Sequence, residues 1–450
     1  MAKVFNLKRG LNIRIKGDAE KTPGISIAAD KVAIKPADFP GLVPKILVKP
    51  DQEIKAGEPI FFDKNNPEII FTAPVSGQVM AINRGERRKV LEVIIKADGK
   101  NESVAFTKAD PQMLSRDEIK AQLLCSGLWP FLKQRPYGTF AKPAQTPRHI
   151  FISGFDSAPL APDYEFILKG QDTALQTGIN ALTKLTNGKV YLGIRPEQAN
   201  GIFASLKNVE INQFSGPHPA GNVGIQIHHI SPINKGEIVW TIDPQAVVFI
   251  GRLFETGKLD LTKIIALTGS EVKMPKYYQC ISGTILDSLL KGTTKQAGKE
   301  RIISGNVLVG SQVEPDGFLG FFDNQVTVIP EGNYYEFLGW AMPRLNKFSL
   351  SKSYFSWLSP DKVYSPDTNM NGEERAFVMT GQYEKVLPMD ILPVHLVKAI
   401  IADDIDKMEA LGIYEVIEED LALCEFVCTS KIEVQRILRN GINLMIKELG

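Results

Sequence analysis

Apolar and polar positions along the chain fall into four successive regimes. From Leu42 to about Lys96 the apolar residues come in short bursts, KILV, PIFF, EIIF, GQVMAI and VLEVII, each cut by turn residues. That is the pattern of short β-strands. Two stretches inside it, LVKPDQEIKAGEPI and APVSGQVMAINRGERRKV, repeat the order strand, turn, strand, which predicts a small pseudo-symmetric β-sandwich. Past Asp110–Arg116, read as a helix cap and first turn, strand and helix patterns alternate to about Gly257. RHIFISGF and KVYLGI are apolar, β-branched strands, and between them GQDTALQTGINALTKL places Leu175, Ile179, Leu182 and Leu185 on one helical face. AVVFIG reads as another buried strand, and the alternation predicts an α/β domain with parallel strands.

From Asp260 to Pro330 strands return in KIIALTG, RIISGNVLVG and NQVTVIP around one helical piece, SGTILDSLL. That order fits a small β-grasp domain. An aromatic, turn-rich connector follows, with Tyr334, Tyr335, Phe337, Trp340, Phe348, Tyr354, Phe355 and Trp357. These rings either pack on the chain's own domains or form an anchor surface for a partner. The chain closes in helical spacing, VHLVKAIIADDIDKMEAL and SKIEVQRILRNGINLMIKEL, with Leu438, Ile442, Met445 and Leu449 sharing a face. The expected organisation is an N-terminal segment with the β-sandwich over 1–103, an α/β domain over 104–258, a β-grasp domain over 259–330, and the connector with a helical domain over 331–450.

Composition narrows the class. A chain of 450 residues exceeds one core, and 44% hydrophobic with 23% charged residues is ordinary globular usage. A net charge of +1 gives no whole-molecule argument for nucleic acid or an anionic surface. Four cysteines make no disulfide framework and point to a reducing compartment. The N-terminus has no apolar run of the signal-peptide kind, and no stretch reaches the roughly 18–20 apolar residues of a membrane span. The reading is a soluble cytoplasmic protein, or the soluble part of something larger.

Specific chemistry is sparse. Neither a G-x-x-x-x-G-K-[ST] loop nor a G-x-G-x-x-G fingerprint occurs. HPAGNVGIQIHHI holds His218, His228 and His229; in a strand-like run the last two point to opposite faces and do not share one ion. His149 and His395 have no motif around them. WPFLKQRPYG interleaves aromatic rings with Lys133 and Arg135. Rings that stack and cations that hydrogen-bond carbonyl oxygens suit a flat, redox-active headgroup. Plain packing at a domain junction is the competing reading.

The segments SGLWPFLKQRPYG, FSGPHPAGNVGIQIHHISP, RIISGNVLVG, YEKVLPMDILPVHL and CEFVCTSKIEVQ span essentially the whole chain in order. Together they resemble the A-subunit family of the sodium-translocating NADH:quinone oxidoreductases (Na(+)-NQR). More distantly they resemble the Rnf complex C subunit and the flavin-binding subunit of respiratory complex I. The resemblance implies an α/β multidomain protein: a biotinyl/lipoyl-like barrel-sandwich hybrid, a Rossmann-like α/β domain, an SLBB-like β-grasp domain and a C-terminal helical domain. It implies a peripheral subunit on the cytoplasmic side of the bacterial inner membrane, in a six-subunit complex that oxidises NADH, reduces a quinone and exports Na+. FMN, FAD, riboflavin and iron–sulfur would then lie in other subunits, with none bound here. The subunit would help to form or cover the quinone site and be inactive alone. Lys64, in FFDKNNPEIIF, is the counterpart of the biotinyl/lipoyl carrier lysine, but its turn is longer and lacks Met-Lys-Met, so it reads as a solvated turn lysine.

Against these relatives the cofactor motifs are eroded. The Rnf-type helices carry two C-x-x-C-x-x-C-x-x-x-C-P runs, and a tetranuclear cluster needs four converging thiolates. Here the second run keeps Cys424 and Cys428, with Glu418 and Leu421 at its earlier positions, and the first falls on Phe377, Thr380, Tyr383 and Leu387. Inert core thiols, a redox-labile pair and a metal site with further ligands are the three readings. The relatives' glycine-rich flavin turn reads CSGLWPF, with Leu128 and Trp129 where an open backbone is needed, and Asp156 is an approximate counterpart of their flavin-contact acid. His218 is a replacement within the old cofactor pocket and is structural, a quinone contact or a metal ligand. The expected quinone set is Phe131, Lys133, Arg135, Tyr137 and His218, with no catalytic residue and no metal. The alternative is a flavin and iron–sulfur electron-input subunit of the Rnf type.

Overall fold

The computed structural model describes residues 3–22, 25–295, 298–339 and 342–449. The predicted β-sandwich is formed by a four-stranded sheet, in the order Lys31–Ile34, Val90–Ala97, Gly77–Arg84 and Glu53–Ile54, and a three-stranded sheet of Pro44–Ile46, Pro59–Asp63 and Ile70–Thr72. Alternation along these strands sends Val32, Val79, Val93 and Ile95 into one core, and Ile60 and Phe61, beside a register irregularity in their strand, are buried with them. Lys64 is exposed in the turn after the second of the three strands.

The α/β domain is built on a seven-stranded sheet. Its order is Val4–Asn6, Glu210–Ser215, Val190–Ile194, Ile150–Ser153, Val239–Thr241, Lys133–Arg135 and Thr139–Phe140. The first five run parallel, Lys133–Arg135 runs against them, and Thr139–Phe140 pairs antiparallel to Lys133–Arg135. Residues 4–6, grouped by sequence with the sandwich, pair instead with Glu210–Ser215 and extend this sheet. Helices cover both faces: Ile150 and Ile152 pack with Leu175, Ile179 and Val247, while Phe151 packs with Ile227. A sheet covered on both sides needs continuous apolar strands, which VYLGI supplies with every residue buried.

Two readings of the sequence are corrected here. AVVFIG is not a strand; it lies inside the helix Pro244–Thr256. Asp243 caps that helix by accepting from the Gln245 amide, Pro244 takes the first turn, and Gly257 ends it with φ +68°. The run lacks a polar face because the helix packs on the sheet beside the helix Asp172–Leu185, with which it shares a close crossing. A Cβ on Gly178 would stand 2.1 Å from the Val247 carbonyl oxygen, and one on Gly251 would stand 1.8 Å from that of Ala174. Two glycines thus let the helices cross backbone to backbone. VGIQIHHI, read as strand-like, is the helix Val223–Ile230 on the opposite face. His228 and His229 are therefore not on opposite faces, and their ring centroids are 5.2 Å apart.

The third unit is a five-stranded sheet ordered Lys276–Ile281, Thr262–Thr268, Gln325–Pro330, Glu300–Ser304 and Ser311–Gln312, with one short helix, Asp287–Leu290. RIISGNVLVG is strand only to Ser304, because the Asn306 side chain accepts from the Leu308 and Val309 amides and turns the chain. Of the connector's aromatics Tyr354 is buried, whereas Tyr334, Tyr335, Phe337, Phe355 and Trp357 are exposed. Trp340 lies outside the described residues. The C-terminal part packs the helices Pro393–Ile401, Ile405–Ala410, Glu418–Phe426 and Val434–Leu449 around a core containing Leu438, Ile442 and Met445. VHLVKAIIADDIDKMEAL is thus two helices, broken where Asp403 turns left-handed, and Leu449 is exposed at the end of its face. No helix among the described residues is long and apolar enough to cross a membrane.

Candidate functional site

In the seven-stranded sheet the chain runs outward from Ile150–Ser153 through Val190–Ile194 to Glu210–Ser215, then crosses back along the helix Val223–Ile230 to Val239–Thr241 on the other side. The strand order therefore reverses between Ile150–Ser153 and Val239–Thr241. Diverging connections at such a point leave a crevice beyond the carboxyl ends of the strands. A cavity of about 330 Å³ lies there, with Ser153, Asp156, Thr241 and Asp243 in its wall. This volume is at the small end for ligand pockets and suits one ring system better than a dinucleotide.

Four of the five residues expected at a quinone site line this cavity: Phe131, Lys133, Arg135 and His218. Tyr137 does not. It turns away with φ +86°, meets Tyr414 edge-on at 6.2 Å, and its carbonyl accepts from Arg439. Arg135 lines the wall, but its two terminal nitrogens already donate to Asp420 Oδ2 at 2.5 Å and Glu419 Oε1 at 2.6 Å. Its work is to hold the helix Glu418–Phe426 against the sheet edge. The Lys133 ammonium sits 4.3 Å from the Phe322 ring centroid and makes no ion pair among the described residues. His218 Nδ1 lies 3.0 Å from Ser157 Oγ, which accepts from the Gly221 amide. Burial pushes the His218 pKa down to about 4, so near neutral pH the ring is uncharged.

Other lining groups carry no sequence motif. The Tyr164 hydroxyl donates to Asp243 Oδ2 at 2.5 Å, and Asn324 Nδ2 donates to the same oxygen at 3.0 Å. Asp156 accepts from the Ala158 amide, and burial raises its pKa. With Asp323 and Glu419 also in the wall, carboxylates outnumber cations. Phe322, Asp323 and Asn324 come from the β-grasp unit and Glu419 from the helical one, so only the assembled fold brings them here. Asp243 in DPQ had a legible signal as a helix cap, though not as a cavity group.

Two of the remaining histidines fasten the α/β domain to the C-terminal part. His228 Nδ1 bonds Glu415 at 2.8 Å while its Nε2 accepts from the Asp390 amide, and His229 Nε2 donates to the Pro388 carbonyl. His149 Nδ1 accepts from the Lys189 amide, and His395 is exposed.

The residues at the two eroded motifs do not fit the groups their relatives hold. Leu128 and Trp129 are buried, Trp129 packs edge-on against Trp240 at 5.4 Å, and a Cβ on Gly127 would stand 2.3 Å from Thr72 Oγ1. The turn's backbone is covered by side chains and leaves no phosphate cradle. Cys424 and Cys428 are both free and buried, and Cys424 Sγ lies 4.0 Å from the Tyr383 carbonyl. Phe377 and Tyr383, at two cysteine positions of the first run, meet at a tilt with centroids 5.9 Å apart beside them. Burial lifts the Cys424 thiol far above its usual range, with Glu384 and Cys428 adding to the effect. Among the described residues no three or more His, Cys, Asp or Glu are grouped to hold a metal ion. A larger cavity, about 860 Å³, lies under the connector and gathers none of the expected quinone residues.

A barrel-sandwich hybrid, a doubly wound α/β domain with a crevice at its strand reversal, an SLBB-type domain and a helical tail define a multidomain α/β protein. Family models match in the same order: the NqrA N-terminal barrel-sandwich hybrid domain over 5–98, the NqrA second alpha/beta domain over 114–259 and the NQRA C-terminal domain over 264–314. The chain is 38% identical to the A chain of the Na(+)-translocating NADH-quinone reductase of Pasteurella multocida (strain Pm70) over 449 residues, 99% of this chain and 100% of that one. Identity is 40% to the same protein of Yersinia pestis bv. Antiqua (strain Angola), with the same coverage. It is 38% to that of Rhodopirellula baltica (strain DSM 10527 / NCIMB 13988 / SH1), covering 99% of this chain and 98% of the other. The chain belongs to the NqrA family, the A-subunit family of the Na(+)-translocating NADH-quinone reductases.

Proposed function

We propose that this chain is the peripheral, cytoplasmic-face subunit of a membrane complex that oxidises NADH, reduces a quinone and moves Na+, and that its own part is to hold or cover a quinone headgroup in the strand-reversal cavity. The observation that carries this reading is the convergence of Phe131, Lys133 and His218 on one small cavity. A quinone headgroup is a neutral flat ring with two carbonyl acceptors. Phe131 and Phe322 supply aromatic walls, the Lys133 ammonium supplies a donor, and neutral His218 supplies another if its Nε2 carries the proton. The excess of carboxylates favours a neutral headgroup over a phosphate-bearing flavin, since like charges repel at short range. The covered turn at Leu128–Trp129 supports the same preference, and with the two-thiol remnant it supports a subunit without a redox cofactor of its own.

The test is photoaffinity labelling of the purified complex with an azido-quinone followed by peptide mapping. Label is expected on residues 131–135 or beside His218, competed by unlabelled quinone and weakened about tenfold by Lys133→Ala, the scale of a charge-assisted hydrogen bond. Label absent from both segments overturns the assignment.

A further inference from the structure

The hairpin joining Gly77–Arg84 to Val90–Ala97 carries Arg84, Arg87, Arg88 and Lys89 at its tip against one acid, Glu86. All four cations are exposed, and none makes an ion pair among the described residues; Arg84 donates only to the Arg88 carbonyl, at 3.1 Å. The rest of the domain from Lys31 to Asp98 holds slightly more acids than bases, so the positive charge is gathered at this one end. Arg87 and Arg88 have φ of 53° and 61°. Glycine or asparagine would take that backbone at less cost, yet two long cationic side chains stand there. Leu91 projects beside them, 47% exposed and packed over Gly85.

We propose that this tip rests on the anionic headgroups of a lipid bilayer, its cations on phosphates and Leu91 reaching the interface. Cations grouped around an exposed aliphatic side chain match the chemistry of an interfacial contact. A single-stranded nucleic acid would call for aromatic rings to stack on bases, and the tip has none. The inference rests on the reading of the chain as a peripheral subunit of a membrane complex, and it places the sandwich domain's far end toward the membrane.

The experiment is co-sedimentation of the full chain with phosphatidylcholine vesicles, with and without about 30% phosphatidylglycerol, at low and physiological salt. Binding to the anionic vesicles only, weakening as salt rises, is expected. Each cation should contribute roughly fivefold, so R84Q/R87Q/R88Q/K89Q should lose binding by well over tenfold. K169Q/K207Q, which removes two exposed lysines elsewhere, should bind like the parent chain. No binding at low salt, equal loss in both variants, or equally tight binding to polyuridylate overturns the proposal. The azido-quinone labelling is repeated on the hairpin variant within the complex. Retained labelling with lost vesicle binding supports two separate sites, whereas failed labelling of the parent strikes the quinone reading and leaves the vesicle result to stand alone.

Discussion

Arg135 and Asp420 lie 285 positions apart in the chain and meet as a buried ion pair, Nη1 to Oδ2 at 2.5 Å, with Glu419 on the second guanidinium nitrogen. Both side chains are essentially excluded from water, at 2% and 0% exposure. The pair closes the seam between the α/β sheet and the C-terminal helices, and one wall of the cavity depends on that seam.

Breaking the pair from one side strands a charge in the seam. Arg135→Met is expected to cost about 3–5 kcal/mol, whereas Arg135→Met with Asp420→Leu recovers much of it. Urea midpoints of the parent, single and double variants check this. A double variant weaker than the single would show that the seam is not held by this pair.

The helix crossing at Gly178 and Gly251 has no room for a methyl group. Gly251→Ala would gain about 1 kcal/mol of helix propensity on an open helix, yet here the new carbon meets the Ala174 carbonyl. A net loss of about 1–3 kcal/mol is expected, seen as a lower thermal midpoint. A raised midpoint would contradict the close crossing.

His218 links stability to pH. Its pKa is held down at about 4 by burial, against 6.5 for the free side chain. Between these values the unfolded chain binds the proton and the folded chain does not, so stability rises as pH climbs from 4 to 6.5 and the effect is flat above. The window is worth on the order of 3 kcal/mol. His218→Gln should flatten that slope in urea midpoints measured from pH 4.5 to 7.5. An unchanged slope would remove His218 as its source.

The thiols should react in an order set by exposure. Cys125 is exposed, while Cys280, Cys424 and Cys428 are buried. Burial also pushes Cys280 up to about 11. An aromatic disulfide reagent at pH 8 should therefore modify Cys125 first and the others only on unfolding, since the thiolate is the nucleophile. Fast native modification of Cys424 would show an open pair rather than core packing.

The sandwich and the helix Asp172–Leu185 are legible from their alternation and helical period, and the two flanking strands from short, continuous apolar runs. The helix Pro244–Thr256 and the helix Val223–Ile230 are not. The first is buried on nearly every side, and the run AVVFIG inside it has no polar position to mark a helical period. In the second, GIQIHHI mimics strand alternation while tertiary contacts at Glu415, Asp390 and Pro388 settle the outcome. Of the five residues the sequence groups, Phe131, Lys133, Arg135 and His218 share one cavity, whereas Tyr137 turns away and Arg135 is taken up by two carboxylates. The direction in which the 135–138 turn sends a side chain is not a local property.

By itself the sequence determined the order of domains, the family, and that two thiols stand at Cys424 and Cys428 and bulky side chains at Leu128 and Trp129, because these depend on residue identity and local period. Only the tertiary structure decided that residues 4–6 complete the α/β sheet, that Arg135 is bound by two carboxylates, and that three domains close one cavity. Those outcomes depend on which distant groups meet when apolar faces are buried together. Neighbours along the chain carry no record of that.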